Sequence, residues 1–255
     1  MFNNSNSIFL LQNLVLKDFR IRYRNMSLGV IWSVANPLLM MGILTFVFTR
    51  IFPNPNIHDL PLFVLCALVP LNFFTLASSA GTTSLLDNQS LIKRVKCPRV
   101  VFPIASVLSS SLHLLIQIAL LLGLLFLSGH TVNRYWFWLP VIWGMEVVFM
   151  CGLCLATAAL DVYYRDVRYL VEASALVIFW AVPVFYTLEL VPARYLLLYT
   201  LNPITVVAVT TRQVLLAAKA PSVSLLFQLI GVSLAYIAVG LGIFHWLERD
   251  FADYL

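Results

Sequence analysis

Asp161-Val-Tyr-Tyr-Arg-Asp166 is the one cluster of acidic and basic residues in this 255-residue chain placed where it could do phosphoryl chemistry. Metal-assisted chemistry of that kind needs two or more carboxylates converging with a cation. The same residues at the end of an apolar run also make an ion pair that closes a helix, which is the milder expectation. Cys151-Gly-Leu-Cys154 has the spacing of half a zinc site, yet no second ligand pair accompanies it, so packing is the expected role of both thiols. Glu146 and His113 are the titratable side chains, thiols and phenols aside, that lie well inside apolar runs. A carboxyl so placed is a functional candidate by default. Against that stands a structural hydrogen bond between helices, with His113 or a serine as partner, while His113 itself is expected to be packed and satisfied. No G-x-x-x-x-G-K-[ST] run occurs, so these residues do not cradle ATP phosphates in the P-loop manner. Without a relay of intramembrane carboxylates the chain also makes a poor proton-coupled carrier. Energy for work must come from another polypeptide.

The elements that hold these residues are set by long stretches without charge. Gly29–Thr49, Leu60–Leu86, Val100–Gly129 and Ala220–Phe244 contain no Asp, Glu, Lys or Arg, and Tyr135–Leu160 contains only Glu146. A bilayer core takes about 20 apolar residues per helix. Ala173–Leu188 reaches that length if it starts near Tyr169. With 61% hydrophobic and 11% charged residues the chain has no room for a folded soluble domain. The four cysteines are scattered and offer no disulfide framework, and the charged N-terminal arm is not expected to be a cleaved signal peptide. The expectation is an all-α integral membrane protein forming a single domain over 1–255. It has an interfacial amphipathic helix at 7–25 and six transmembrane helices near 28–50, 61–86, 100–128, 135–160, 169–188 and 221–247. A cytoplasmic helix at 87–99 and a periplasmic re-entrant region at 189–219, ahead of the last span, complete it.

Orientation follows from Lys and Arg in short loops. Lys17, Arg20, Arg22 and Arg24 precede the first span, Lys93, Arg94, Lys96 and Arg99 follow the second, and Arg165 and Arg168 follow the fourth, against Arg50 and Arg134 in the alternate loops. The N-terminus is therefore expected in the cytoplasm. Tyr195–Thr211 is uncharged but broken by Asn202-Pro203. If it dips in and returns, the C-terminus is cytoplasmic too, with Arg212 and Lys219 among the outer headgroups.

Two basic segments could meet partners. Asn13, Lys17, Arg20 and Arg24 share a helical stripe opposite Ile8, Leu11, Val15 and Phe19, which suits the headgroup boundary of an anionic leaflet. Asp18 and Arg22, off that stripe and four apart, can pair. In Asn88–Arg99, Leu91, Ile92 and Val95 stand at helical spacing beside Lys93, Arg94 and Lys96, and Pro98 stops the run. A short docking helix has this pattern; a solvated turn obeying the positive-inside rule has the same charge, and both readings stand at this stage.

Leu16-Lys-Asp-Phe-Arg-x-Arg-Tyr23, Ser27-Leu-Gly-Val-Ile-Trp-Ser33, Asn36-Pro37, Asn88-x-x-Leu-Ile-Lys93, Pro98-Arg99 and Phe102-Pro103 occur in order. Tyr164-Arg-Asp-Val-Arg168, Pro183-Val-Phe-Tyr186, Val191-Pro192 and Leu201-Asn-Pro-Ile-Thr205 follow them. Together they resemble the membrane subunit of ABC-2 type (type V) exporters of bacterial surface polysaccharides: O-antigen, capsule and teichoic acid. Departures are Lys17, Cys97 and Thr187, where Arg, an aromatic, and Pro or Ser are common. The resemblance implies a homodimer in the bacterial inner membrane joined to two separate ABC ATPase subunits, which carry the ATP and Mg. It implies a lipid-linked polysaccharide as cargo and the loop after span 2 as coupling helix, with Leu91, Ile92, Lys93, Arg94, Val95, Lys96 and Arg99 as coupling residues. No cofactor, metal, catalytic residue or nucleic-acid partner is expected in this chain.

Aromatics make up 13% of the residues. Sugar rings present CH faces that stack on aromatic planes, and a path of aromatics with few charges would let a polymer slide. Trp32, Phe73, Phe74, Phe185 and Tyr186 are the candidates; an interfacial belt is the competing account of any Trp or Tyr. Two other functions remain in view. An exporter of small lipophilic molecules would share the fold, and an integral membrane enzyme acting on lipids or glycans would have to use Asp161–Asp166.

Overall fold

The computed structural model describes residues 4–24, 29, 31–52, 57, 59–94 and 97–251. All regular structure among them is helical. Helix α1 (Asn4–Tyr23) leads to α2 (Ile31–Phe46), prolonged by a wider π turn over Val47–Ile51. Helices α3 (Leu60–Asp87), α4 (Gln89–Arg94) and α5 (Val101–Leu127) follow. A 3-10 turn, Arg134–Trp138, opens onto α6 (Leu139–Tyr163), and then come α7 (Val167–Ala181), α8 (Ala193–Leu201), α9 (Pro203–Leu215) and α10 (Val223–Leu247). Among the described residues, five stretches are long and apolar enough to cross a membrane: Ile31–Ile51, Leu60–Arg94, Val101–Leu127, Arg134–Tyr163 and Val223–Leu247.

The fifth expected span, 169–188, is helical only in its first part. Its helix ends at Ala181 and is 15 residues long, about 22 Å at 1.5 Å per residue, against a hydrocarbon core of roughly 30 Å. Pro183 has no N–H to continue the ladder, and Val182–Thr187 runs on without regular structure. The stretch broken at Asn202-Pro203 forms two helices, α8 and α9, bent by 97°. Asn202 caps the second, its Oδ1 accepting from the Ile204 N–H at 3.1 Å.

Helix α3 is the centre of the bundle: 72% of its apolar window is buried, compared with 11% for α2 and 22% for α10. It lies against α2, α5, α6, α7 and α9. Helices α3, α6 and α10 run parallel. Thr82 Oγ1 donates to Thr157 Oγ1 at 2.8 Å, Cys154 Sγ to the Ala77 carbonyl at 3.3 Å, and Tyr163 Oη to the Leu247 carbonyl at 2.8 Å. Gly152 and Gly240 let α6 and α10 approach backbone to backbone, since a Cβ on either would meet the other helix's main chain. A second apolar cluster closes the end of the bundle that carries the basic loops, with Leu14, Leu85, Phe102, Leu155, Phe244 and Phe251 at its centre.

Candidate functional site

At the basic end, α1 is not simply laid on lipid. Leu14 is buried, with Leu10, Leu11 and Val15 packed around it, so the face turned to the bundle is centred one residue from the expected Ile8–Leu11–Val15–Phe19 stripe, and Ile8 is exposed. Lys17 stays exposed, and its Nζ donates to Asn88 Oδ1 at 2.6 Å, at the junction of α3 and α4. Asp18 takes Lys17 at 3.7 Å and the Ser106 hydroxyl at 3.3 Å rather than pairing with Arg22. Arg20 and Arg24 are exposed. Between α1, α3 and α5 a cavity of 440 Å³ is lined by Lys17, Asp18, Arg22, Ser84, Asp87 and Ser106.

Burial pushes the Asp18 carboxyl above its ordinary value, with Lys17, Ser106 and Arg22 opposing, and pushes the Arg22 guanidinium down. A raised acid favours folding while protonated and loses that advantage as pH rises from the unfolded value through the folded one. In thermal unfolding of the purified chain, stability should fall over the acid range as Asp18 ionises. Asp18→Asn, which keeps an oxygen for Ser106, should remove that part of the slope; an unchanged slope would show that Asp18 is not so buried.

Helix α4 turns Leu91 and Ile92 into the chain's own cluster and leaves Lys93 and Arg94 exposed. Arg99 is engaged internally: its Nη1 donates to the Glu248 carbonyl at 2.8 Å and its guanidinium lies 5.6 Å from the Phe251 ring centroid. Three of the expected coupling residues therefore serve this chain's own packing. Val95 and Lys96 lie outside the described residues. Asp161 is buried and paired with Arg168 at 3.5 Å, an ion pair at the end of α6, and the described residues hold no cluster of three metal-ligating side chains.

Along the bundle, a groove of 560 Å³ lies between α2, α3 and α7, lined by Met40, Thr75, Ser78, Ser79, Glu172 and Trp180 among others. Thr75, Ser78 and Ser79 were not singled out from sequence; their i, i+3, i+4 spacing in an otherwise apolar helix was the available signal. Phe73 and Phe74 are corrected: at 0% and 2% exposure they belong to the core, Phe74 stacked on Phe149 at 6.4 Å, and their faces are closed to any path. Trp32 is 51% exposed on α2. Phe185 stacks on Phe48 at 4.4 Å and 12°, and meets Trp180 at 6.0 Å and Tyr186 at 5.4 Å edge-on.

His113 joins three helices. The amide nitrogen of Gln117 can only donate, at 3.0 Å to His113 Nε2 and at 3.2 Å to the Ser33 carbonyl. His113 Nδ1 then donates to Tyr23 Oη at 2.6 Å, and Tyr23 donates to Ser33 Oγ at 2.8 Å. Glu146 has no part in this. It is fully buried, and neither carboxyl oxygen has a hydrogen-bond partner among the described residues. Six residues along α6 from Gly152, it comes level, in the parallel register, with the turn of α10 carrying Ser233, whose buried hydroxyl is also without a partner.

Among the described residues, five long apolar helices, a pair of shorter helices sharply bent against each other and a basic end with an exposed short helix define a polytopic membrane protein. The ABC-2 type transporter family model matches residues 10–216, and the chain belongs to that family. It is 29% identical over 242 residues to an O-antigen export system permease protein, RfbA, of Klebsiella pneumoniae, covering 94% of this chain and 92% of the relative. To the RfbA permease protein of Myxococcus xanthus it is 27% identical over 247 residues, 96% and 94% of the two chains. To the polysialic acid transport protein KpsM of Escherichia coli it is 23% identical over 235 residues, 89% and 85% of the two.

Proposed function

We propose that this chain is the membrane-spanning permease subunit of an ATP-binding-cassette exporter that moves a bacterial surface polysaccharide, O-antigen above all, out of the cytoplasm. What carries the reading is the likeness to O-antigen export permeases of two organisms along more than nine-tenths of the chain. On this reading two copies assemble with two ATPase subunits, which hold ATP and Mg; the chain itself catalyses no hydrolysis. The basic end faces the cytoplasm, by the positive-inside rule, and holds both termini. Arg20 and Arg24 attract anionic lipid, and the exposed Lys93 and Arg94 of α4 meet the ATPase. The bent pair α8–α9 is a hairpin entering from the periplasm: its helices are 9 and 13 residues long, about 14 and 20 Å, so neither crosses alone. The groove beside α7, with hydroxyls on one side and Trp180 on the other, suits a lipid-linked glycan, whose CH faces stack while its hydroxyls bond.

Deleting the gene for this chain should leave polymer inside the cell and none at the surface, and the chain should copurify with an ATPase. Purified alone it should not hydrolyse ATP. Surface polymer at the normal level in the deletion strain, or hydrolysis by the isolated chain, would overturn the proposal.

A further inference from the structure

Where α7 ends at Ala181 the chain leaves its helix while still against apolar neighbours. Val182, Pro183 and Val184 are buried, and unpartnered carbonyls in such surroundings cost several kcal/mol each. The partner comes from α9. Arg212 donates from Nη1 to the Pro183 carbonyl at 2.6 Å, from Nη2 to the Val184 carbonyl at 2.9 Å and from Nε to the Phe63 carbonyl of α3 at 3.0 Å. Its guanidinium also lies 3.5 Å from the Phe63 ring centroid. The expectation that Arg212 sits among outer headgroups is thereby corrected: it is 7% exposed. The ion pairs among the described residues are Lys17–Asp18, His130–Asp59 and Arg168–Asp161, so no carboxylate answers its charge.

A planar fork with donors at fixed angles fits carbonyls drawn from two separate segments; an ammonium on a flexible stem does not hold them in one plane. The residues directly after the clamped carbonyls are Phe185 and Tyr186. Phe185 lies face to face with Phe48 of the π turn at 4.4 Å and edge-on to Trp180 of α7 at 6.0 Å. With Val184 fixed at its carbonyl, the backbone of Phe185 has little freedom, and its ring is set between the π turn and α7.

We propose that Arg212 is a positioning residue for export: by holding the Pro183–Val184 turn it sets Phe48, Trp180, Phe185 and Tyr186 as one aromatic platform at the end of the bundle away from the basic loops, over which the sugar rings of the polymer pass. The inference rests on the polysaccharide-exporter reading. Arg212 touches no cargo; it acts through Phe185.

The test uses the full complex with its ATPase in native membranes. With Phe48→Cys and Phe185→Cys, oxidation should give a 48–185 linked peptide by mass spectrometry, and adding Arg212→Gln should lower its yield at least severalfold at equal chain level. Independently, Arg212→Gln and Phe185→Leu should each lower surface polymer about tenfold, and the double variant should export no worse than the poorer single one. Undiminished cross-linking with Arg212→Gln, or losses that multiply in the double variant, would overturn the positioning role. If Arg212→Gln does not accumulate, Arg212→Lys decides by the same peptide yield: a severalfold loss supports the clamp, an unchanged yield overturns it. The cross-link reports on the turn whatever the cargo is, so a chain that exports no polysaccharide would fail the functional reading while leaving this geometry testable.

Discussion

Gly152→Val should prevent the chain from accumulating as a folded, monodisperse protein. A Cβ at Gly152 would fall on the backbone of Tyr236 and Ile237, and one at Gly240 on the carbonyl of Gly152 itself. Neither obstacle is the tip of a side chain that can swing away. Overfilling a packed contact costs about 1–3 kcal/mol and occasionally more, and a backbone that must retreat puts this site at the upper end. In lipid the loss is felt fully, because helices there are held by close packing rather than by exclusion of water. Gly144 in α6 and Gly231 in α10 are internal controls, since nothing lies within 4 Å of a Cβ at either. Gly144→Val and Gly231→Val should keep a single peak in size-exclusion chromatography and a melting midpoint near that of the parent, while Gly152→Val and Gly240→Val lose both. A Gly152→Val chain as stable as the Gly144→Val control would mean that α6 and α10 do not meet here.

The long crossings could be read from residue types because charge marks their limits: nothing charged lies within Leu60–Leu86 or Val100–Gly129, and α3 and α5 fill those stretches closely. The fifth crossing was not legible in the same way. Its apolar run continues past the point where Pro183 interrupts the helix, and apolarity alone does not separate a helix from an extended segment whose carbonyls are bonded elsewhere. What answers the break, Arg212, is 29 residues further on and was taken for a boundary charge. A buried arginine that serves backbone carbonyls leaves no pattern along the chain; the signal lies in pairing two facts, the helix breaker at Pro183 and a cation with no acidic partner.

Side-chain direction was harder still in the helix that is apolar all round. Phe73 and Phe74 are adjacent, yet both are enclosed among neighbouring helices, while the face of α3 left open to a groove is the one carrying Thr75 and Ser79. In α4 the opposite holds. Its six residues are amphipathic, and the apolar pair Leu91 and Ile92 faces inward, but inward proved to mean this chain's own cluster with Leu14 and Phe102. An amphipathic pattern says that an apolar face is covered and not what covers it.

That distinction reshapes the expected result at the coupling helix. Leu91→Asp places a charge in the chain's own apolar cluster, at a cost of several kcal/mol, so it should lower the amount of folded chain and say little about the ATPase. The informative change is the pair Lys93→Glu and Arg94→Glu, because both side chains are exposed and contribute little to folding. One exposed ion pair is worth about 0–1 kcal/mol, so each single reversal should weaken ATPase copurification only slightly. Reversing both turns two attractions into repulsions, roughly 2 kcal/mol together, or about thirtyfold in affinity at 1.4 kcal/mol per tenfold. Surface polymer should fall accordingly with the chain at its normal level in the membrane. The parent complex should loosen as ionic strength rises, because added salt screens exposed charges, and the double variant should show the opposite trend, since salt then screens a repulsion. Full export and undiminished ATPase recovery with both charges reversed would remove α4 from the coupling interface and leave its basic residues as topology signals alone.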